Sequence, residues 1–498
     1  MCMVVLVLVL ASANSLPSVS AQNSLPTYIQ EYRVPTANSA PLAITVDSKG
    51  IVWFTESNAS ILARFDPVNK TFKEYRVPWV GDMWGVIADP RGYVWFTQYS
   101  GAGSVNPGGA IVQGGNGQIV RFDVASGNFT AIRIPTVGSF PLRLTLDGQG
   151  RVWFTELLGN KIGVYDRASN HMQEYIVPTN SSGPSDLTFN TNGMLWFSES
   201  YARQLGRFDP QNASFIEYPL GTETNSGIVS SPVGLAVDKA GNIWVADHGG
   251  NWIVEFNPET HVTVKYPTHF PPQEIYPISL VNDLLIDSNG SIWLTEHGGN
   301  SIGHYDPNTR CMVEFPIPTG PISTVLWLAL APNGDIWFTE WSGNKIGVVA
   351  AKSTVPLQIS ANTEFVELNG GQYVTVPLQI KVLRGLGGNG TLQYAWGSYN
   401  PQDASVAFSP QYPLLAGPAE ILAQAELNVS TTTEPGNYTL ALGIETPSVN
   451  VWTMISVEVI KPSPFNPVPL SLAALGGGVV LAILLFIVLR RKSNRAPH

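Results

Sequence analysis

Short apolar runs bounded by polar turn residues recur along the first 350 residues, with a period of two rather than the 3.6 of a helix. Ile51-Val-Trp-Phe-Thr-Glu56 sets the type. Its likenesses end at Gln98, Glu156, Glu199, Asp247, Glu296 and Glu340, a spacing of 42 to 58 residues. An apolar strand closing in an Asp/Gly turn precedes each, as in LAITVDSKG and LAVDKAGN. A strand such as NKIGVYD or QLGRFDP follows most, and then a fourth typified by KEYRVP. Four short strands per unit, joined by Asp, Asn and Gly, predict the blades of a β-propeller.

Counting outer strands predicts how the ring closes. EYRVP-like segments end at Pro78, Pro135, Pro178, Leu220, Pro267 and Pro318, whereas the seventh unit runs into VVAAKSTVP and has none. A spare copy, Glu31 to Pro35, stands ahead of the first WFTE. The N-terminal strand therefore completes the last blade and leaves no open edge. The expectation is all-β, a seven-bladed β-propeller over residues 26–350.

Residues 355–460 lose this repeat. Alternating strands (TVPLQIKVL, YTLALGIET, WTMISVEVI) predict an immunoglobulin-like β-sandwich serving as a stalk, without the Cys and Trp spacing of antibody domains. In EPGNYTLAL, Gly436 and Tyr438 stand where such sandwiches turn into a late strand. A linker at 461–467 leads to residues 468–489, which carry no charge. At 1.5 Å per residue these 22 positions cross a hydrocarbon core of ~30 Å as one C-terminal transmembrane helix. Arg490, Arg491 and Lys492 follow at once and assign the tail, 490–498, to the cytoplasm. Residues 1–21 read as a signal peptide, with Val19 and Ala21 before the cleavage point. The nine N-x-S/T sequons all precede the apolar run, in keeping with an exported glycoprotein. The expected location is the cell membrane, single-pass, with the large N-terminal part extracellular.

Composition narrows the partners. The net charge is -10 although four basic residues crowd into the last nine positions, so the ectodomain is the more acidic part. Such a surface repels phosphate backbones and excludes nucleic acid. Cys2 leaves with the signal peptide, so Cys311 has no partner and is expected to be a buried thiol. Half of the 14 tryptophans fall in the WFTE motif and read as inter-blade core.

The acid that closes each WFTE motif recurs in nearly every blade. A ligand breaks seven-fold symmetry, so the series reads as structural hydrogen bonding. Departures from the repeat carry more chemistry. The second blade has Gln98 and a Gly-rich insertion, Ser100 to Gly117. Blades five and six carry Asp247-His248-Gly-Gly-Asn251 and Glu296-His297-Gly-Gly-Asn300. A carboxylate beside an imidazole can bind metal or move protons, although neighbours on a strand point to opposite faces. No P-loop, nucleophile elbow or CxxC pair occurs.

The WFTE…GNKIG…EYxVP units, with Lys161-Ile-Gly163 and Glu340-Trp-Ser-Gly-Asn-Lys-Ile-Gly347 the nearest matches, resemble the virginiamycin B lyase (streptogramin lyase) family over about Tyr28 to Ala350. The resemblance implies a propeller whose members open a cyclic depsipeptide ester by elimination, with magnesium and a general-base His at the channel mouth. It maps the family's first-blade Tyr onto Leu42, its penultimate-blade His onto Asn282, and its E-P-H set onto Thr324, Val325 and Leu326. Glu340 stands for the last-blade Glu and is the one candidate catalytic residue. Leu neither accepts a proton nor binds magnesium. Magnesium is thus implied as a cofactor only if lyase activity is retained.

The corresponding mouth positions are Leu42, Trp84, Leu142, Ser185, Val233, Asn282 and Leu326, an apolar funnel with two polar members suited to binding a hydrophobic group. Three readings stay open. One is a surface propeller that binds an extracellular ligand or protein. Another is a divergent metal-dependent lyase or lactonase-like enzyme using Asp82, Glu340, Asn282, His248 and His297. The third is a structural envelope component.

Overall fold

The computed structural model describes residues 27–100, 116–220, 231–268, 279–396 and 404–460. The signal peptide, linker, transmembrane helix and tail expected from sequence, and most of the Gly-rich insertion, lie outside these residues. Among the described residues no helix is long and apolar enough to cross a membrane. Apart from one 3-10 turn, Ser57–Ala59, the regular structure is strand.

Antiparallel meanders of four strands make up the first 350 residues. Unit 1 comprises Pro41–Val46, Val52–Glu56, Ile61–Asp66 and Thr71–Arg76, paired in that order. Units 2 to 6 begin at Asp82–Asp89, Pro141–Leu146, Pro184–Phe189, Pro232–Val237 and Val281–Ile286. The last unit, here unit 7, joins Val325–Leu330, Ile336–Glu340 and Lys345–Val349 to the N-terminal strand Ile29–Arg33, with Tyr32 opposite Ile346. Each first strand lies beside the first strand of the next unit, and Val325–Leu330 lies beside Pro41–Val46. The sheets thus form a β-propeller around a central channel, and the spare N-terminal copy pairs where the strand count requires it.

Repeated residues explain the repeated geometry. At the end of the first strand, Asp47 accepts hydrogen bonds from the Lys49 and Ile51 amides and from the Trp53 indole, at 2.9 to 3.1 Å. One carboxylate thereby folds the turn and fixes the rotamer of the core tryptophan. Gly50 completes that turn at φ 79°, where a Cβ is strained. Asp147, Asp238 and Asp287 hold Trp153, Trp244 and Trp293 in the same way.

Residues 355–460 form two further sheets. One is Leu357–Ala361, Tyr373–Val382, Ala419–Val429 and Ala404–Ser409. Tyr373–Val382 alternates strictly between exposed and buried positions in its second half, the signature of one wet and one packed face. The Tyr438 hydroxyl donates to the Glu434 carbonyl at 2.7 Å, four residues upstream, and pins the entry to Gly436–Glu445. The second sheet is not set apart from the propeller. Asn450–Ile460 pairs along its first half with Cys311–Pro316 of unit 6 and along its second half with Phe365–Asn369. Sequence alone treats this region as a stalk. Main-chain pairing joins it to the propeller, because the outer edge of unit 6 and half of an eleven-residue strand would otherwise both be open. Asn450 donates to Glu314, Arg310 to Ser456, and Cys311, half-buried opposite Thr453, has its thiol pushed up by burial to about 11.

Candidate functional site

The propeller's two ends differ. Turns at the far end are tight and repetitive, whereas the strands flanking residues 101–115, 221–230 and 269–278 all meet those segments at the mouth end. At that end the first strand pairs once with the WFTE acid and then bulges. Pro41 faces Glu56, Pro141 faces Glu156, Val325 faces Glu340, and the regular register resumes three residues on. All seven units repeat this break. The mouth positions read from sequence are the first residue of each bulge.

The Thr or Ser before the WFTE acid fills the bulge. Thr155 accepts the Arg143 amide at 3.1 Å and donates to the Ser185 carbonyl of the next unit at 3.0 Å. Thr55, Thr97, Ser198 and Thr295 donate likewise to Met83, Leu142, Val233 and Leu326. Thr339 closes the circuit by donating to Leu42 at 2.6 Å. Unit 5 has Ala246 at this position.

The WFTE acids lie further out and are fully buried. Glu340, the candidate catalytic residue, neighbours Glu31, Thr319 and Lys345, and burial followed by Glu31 pushes its carboxyl up to about 8. Glu56 and Glu156, with Glu74 and Glu174 beside them, are pushed up equally, mainly by burial. The second glutamate of each pair latches the previous unit. Glu31 accepts from Thr319, Glu74 from Thr36, and Glu217 from Thr179.

Around the mouth the side chains divide into two arcs. Tyr99, Phe140, Leu142 and Leu157 pack together with Trp84, which also touches the cluster of Leu42, Leu326 and Trp341. Units 7, 1, 2 and 3 therefore present a continuous apolar arc. Units 4 to 6 are mostly polar. Ser185 and Ser200 share a hydrogen bond, Ser200 donates to Pro232, and Asn282 donates to Leu326 at 2.8 Å. His248 and His297 meet with ring centroids 5.9 Å apart. Burial pushes His248 down, against Asp247, and burial followed by His248 pushes His297 down to about 4. Val233 is the apolar member of this arc, and Asp82 opens its strand opposite Tyr99.

Beneath the mouth lies a feature the sequence reading missed. The second bulge residue in units 3, 4, 6 and 7 is Arg143, Asp186, Asp283 and Trp327. Arg143 donates through Nε to Asp186 at 3.0 Å and reaches across the channel through Nη2 to Asp283 at 2.9 Å. Its guanidinium lies 4.0 Å from the centre of the Trp327 ring. Asp186 also accepts the Leu235 amide, and Asp283 the Leu328 amide. Burial works against the Arg143 charge, but the two carboxylates outweigh it and hold the group protonated. Burial raises the Asp283 carboxyl to about 6 in spite of Arg143. In unit 5 the same position is Gly234, where a Cβ would stand 2.8 Å from Asp283. The signal was present one residue past the mouth ring, in three charges where the other four units carry Ala43, Gly85, Gly234 and Trp327.

A model of the virginiamycin B lyase family matches residues 112–322. The propeller is virginiamycin B lyase-like. Virginiamycin B lyase from Staphylococcus aureus is similar to it in structure, at 24% identity and a TM-score of 0.54, over 64% of this chain and 98% of that one. A streptogramin B lyase is similar at 27% identity and a TM-score of 0.54, over 64% and 96%. No curated protein matches the chain.

In this lyase-like propeller the positions mapped from the family are Leu42, Asn282, Thr324, Val325, Leu326 and Glu340. The first five offer no carboxylate and no imidazole, and the Glu340 carboxyl is fully buried and pushed up to about 8. Asn282 and Thr324 are both engaged, with Leu326 and Ser342. Among the described residues no three His, Cys, Asp or Glu side chains come together as metal ligands. Magnesium, a hard ion that wants several oxygens, does not fit these residues.

Proposed function

We propose that this protein is a membrane-anchored extracellular recognition propeller, seven-bladed and joined to an immunoglobulin-like sandwich, that binds a compact amphipathic ligand at the channel mouth without the lyase's elimination chemistry. The division of the mouth carries this reading. A ligand laid across it buries apolar surface on Leu42, Trp84, Leu142 and Leu326 at roughly 25 cal/mol per Å2. Its polar side meets the hydroxyls and imidazoles of the facing arc. The Tyr438 corner supports the sandwich assignment. The uncharged run 468–489, followed by Arg490, Arg491 and Lys492, supports the anchor and the outward orientation.

A solved S. aureus lyase, catalytically inactive, holds quinupristin, which makes that compound a rational probe. Titrating the full chain in detergent with quinupristin, by tryptophan fluorescence, is expected to saturate without product detectable by mass spectrometry, with or without magnesium. Trp84→Ala is expected to weaken binding at least tenfold. Magnesium-dependent turnover abolished by Glu340→Ala would establish the divergent enzyme instead.

A further inference from the structure

His248 and His297 occupy identical positions in successive units. Each follows the WFTE acid and opens the sequence His-Gly-Gly-Asn. Each is fixed by its backbone to its own unit's first-strand entry, His248 to the Ser231 carbonyl at 2.9 Å and His297 to the Leu280 carbonyl at 3.2 Å. Asp247 accepts the Ser231 and Gly249 amides and the Trp252 indole, which sets the His248 loop independently of any ligand. The repeat therefore carries two imidazoles to adjacent places on the rim. The same ring position elsewhere holds Ser57, Tyr99, Leu157, Ser200 and Trp341, none of them a nitrogen base.

The separation suits a shared ion. A zinc–imidazole bond of about 2.0–2.1 Å puts the metal roughly 3.2 Å from each ring centroid. Two such ligands at tetrahedral or wider angles then have centroids roughly 5–6 Å apart, and the observed distance is 5.9 Å at an interplanar angle of 39°. Burial holds both rings neutral at pH 7, the form that ligates. Two protonated imidazoles at this distance would repel each other.

We infer that His248 and His297 form a two-nitrogen site on the polar arc of the mouth for one borderline divalent cation, zinc, nickel or copper, whose remaining coordination positions face the mouth. Imidazole nitrogen selects these ions over magnesium and calcium. The site is distinct from the family positions at Leu42, Asn282 and Leu326, and it does not depend on the recognition role proposed above.

Isothermal titration of the full chain in detergent with zinc chloride at pH 7.5 is expected to give one site of micromolar dissociation constant, while magnesium chloride gives none. His248→Gln and His297→Gln are each expected to weaken zinc binding at least tenfold, with metal-free melting temperatures close to the parent's. His171→Gln, on an exposed strand end, is expected to bind as the parent does. Copper electron paramagnetic resonance of the unmodified chain provides a reading that needs no variant, with two equivalent nitrogens expected in the superhyperfine pattern. Zinc binding unaffected by both substitutions, no binding at 100 μM zinc, or a spectrum with a single nitrogen overturns the inference.

Discussion

The ionic bridge across the channel gives the sharpest test of how this propeller is held together. Arg143→Met removes the guanidinium and keeps an unbranched chain of similar length. It leaves Asp186 and Asp283, both nearly inaccessible, facing each other with no cation between them. Removing one partner of a buried ion pair costs about 3–5 kcal/mol, because the surviving charge has lost its hydration and its counter-charge. At about 2 °C per kcal/mol for a domain of this size, melting is expected roughly 6–10 °C lower at pH 8. The deficit should shrink at pH 5, because carboxylates without a cation have raised folded pKa values and take up protons there. Adding Asp186→Asn and Asp283→Asn removes the repulsion, while the amide oxygens still accept from Leu235 and Leu328. This triple variant is expected to recover at least half the loss. Differential scanning calorimetry of the three proteins at pH 5 and pH 8 is the assay. A single-variant loss below about 1 kcal/mol, or a triple variant no more stable than the single at pH 8, would refute the argument.

Thr155→Val strips a hydroxyl that serves the Arg143 amide and the Ser185 carbonyl at once. Two buried backbone groups lose partners at about 1–3 kcal/mol each, measured by urea unfolding, and a change under 0.5 kcal/mol counts against the hydroxyl clasp. The carboxyls of Glu56, Glu156 and Glu340, raised by burial from 4.5 to about 8, stay protonated in the fold while the unfolded chain ionises. Stability is lost progressively as pH rises from about 4.5, and the loss is complete above 8. The depressed His248, His297 and His304 act in the opposite sense and only below pH 6.5. Stability, followed by the melting temperature, should therefore fall between pH 6.5 and 8, by at most about 1.4 kcal/mol per pH unit for each carboxyl, and level off above, and Glu156→Gln should flatten the slope. Deleting residues 27–35 opens the ring by removing the strand paired with Lys345–Val349, so the chain is expected to aggregate or to melt in two steps by calorimetry. An unchanged single transition would mean that closure lies elsewhere. Tyr438→Phe should cost about 1 kcal/mol through the lost bond to Glu434.

Much of the architecture was legible because it is local and repeated. A period-two apolar run, an Asp turn and a tryptophan six residues on specify a four-stranded meander whatever surrounds it, and the spare EYRVP copy announced its pairing by simple count. The WFTE acids Glu340, Glu56 and Glu156 are buried beside Glu31, Glu74 and Glu174. The mouth ring was legible as far as spacing from the tryptophan could carry it. The hydroxyl clasps were not, because a Thr or Ser in a strand looks like ordinary β-propensity until its neighbour in the next unit is known.

What only the tertiary structure decided are contacts between residues remote in sequence and shifts of a single residue in register. A bulge turns one of two consecutive side chains toward the rim and the next into the channel, so Leu142 and Arg143 have unrelated surroundings. Arg143 and Asp283, 140 residues apart, meet only because the ring closes. The division of the mouth into arcs likewise depends on which units become neighbours. So does the addition of Asn450–Ile460 to the edge of unit 6, since an open strand edge specifies that it must be covered but not by what. Sequence determined the repeated four-stranded units, through periodicity and turn chemistry that act within ten residues. The closed ring determined what those units jointly enclose.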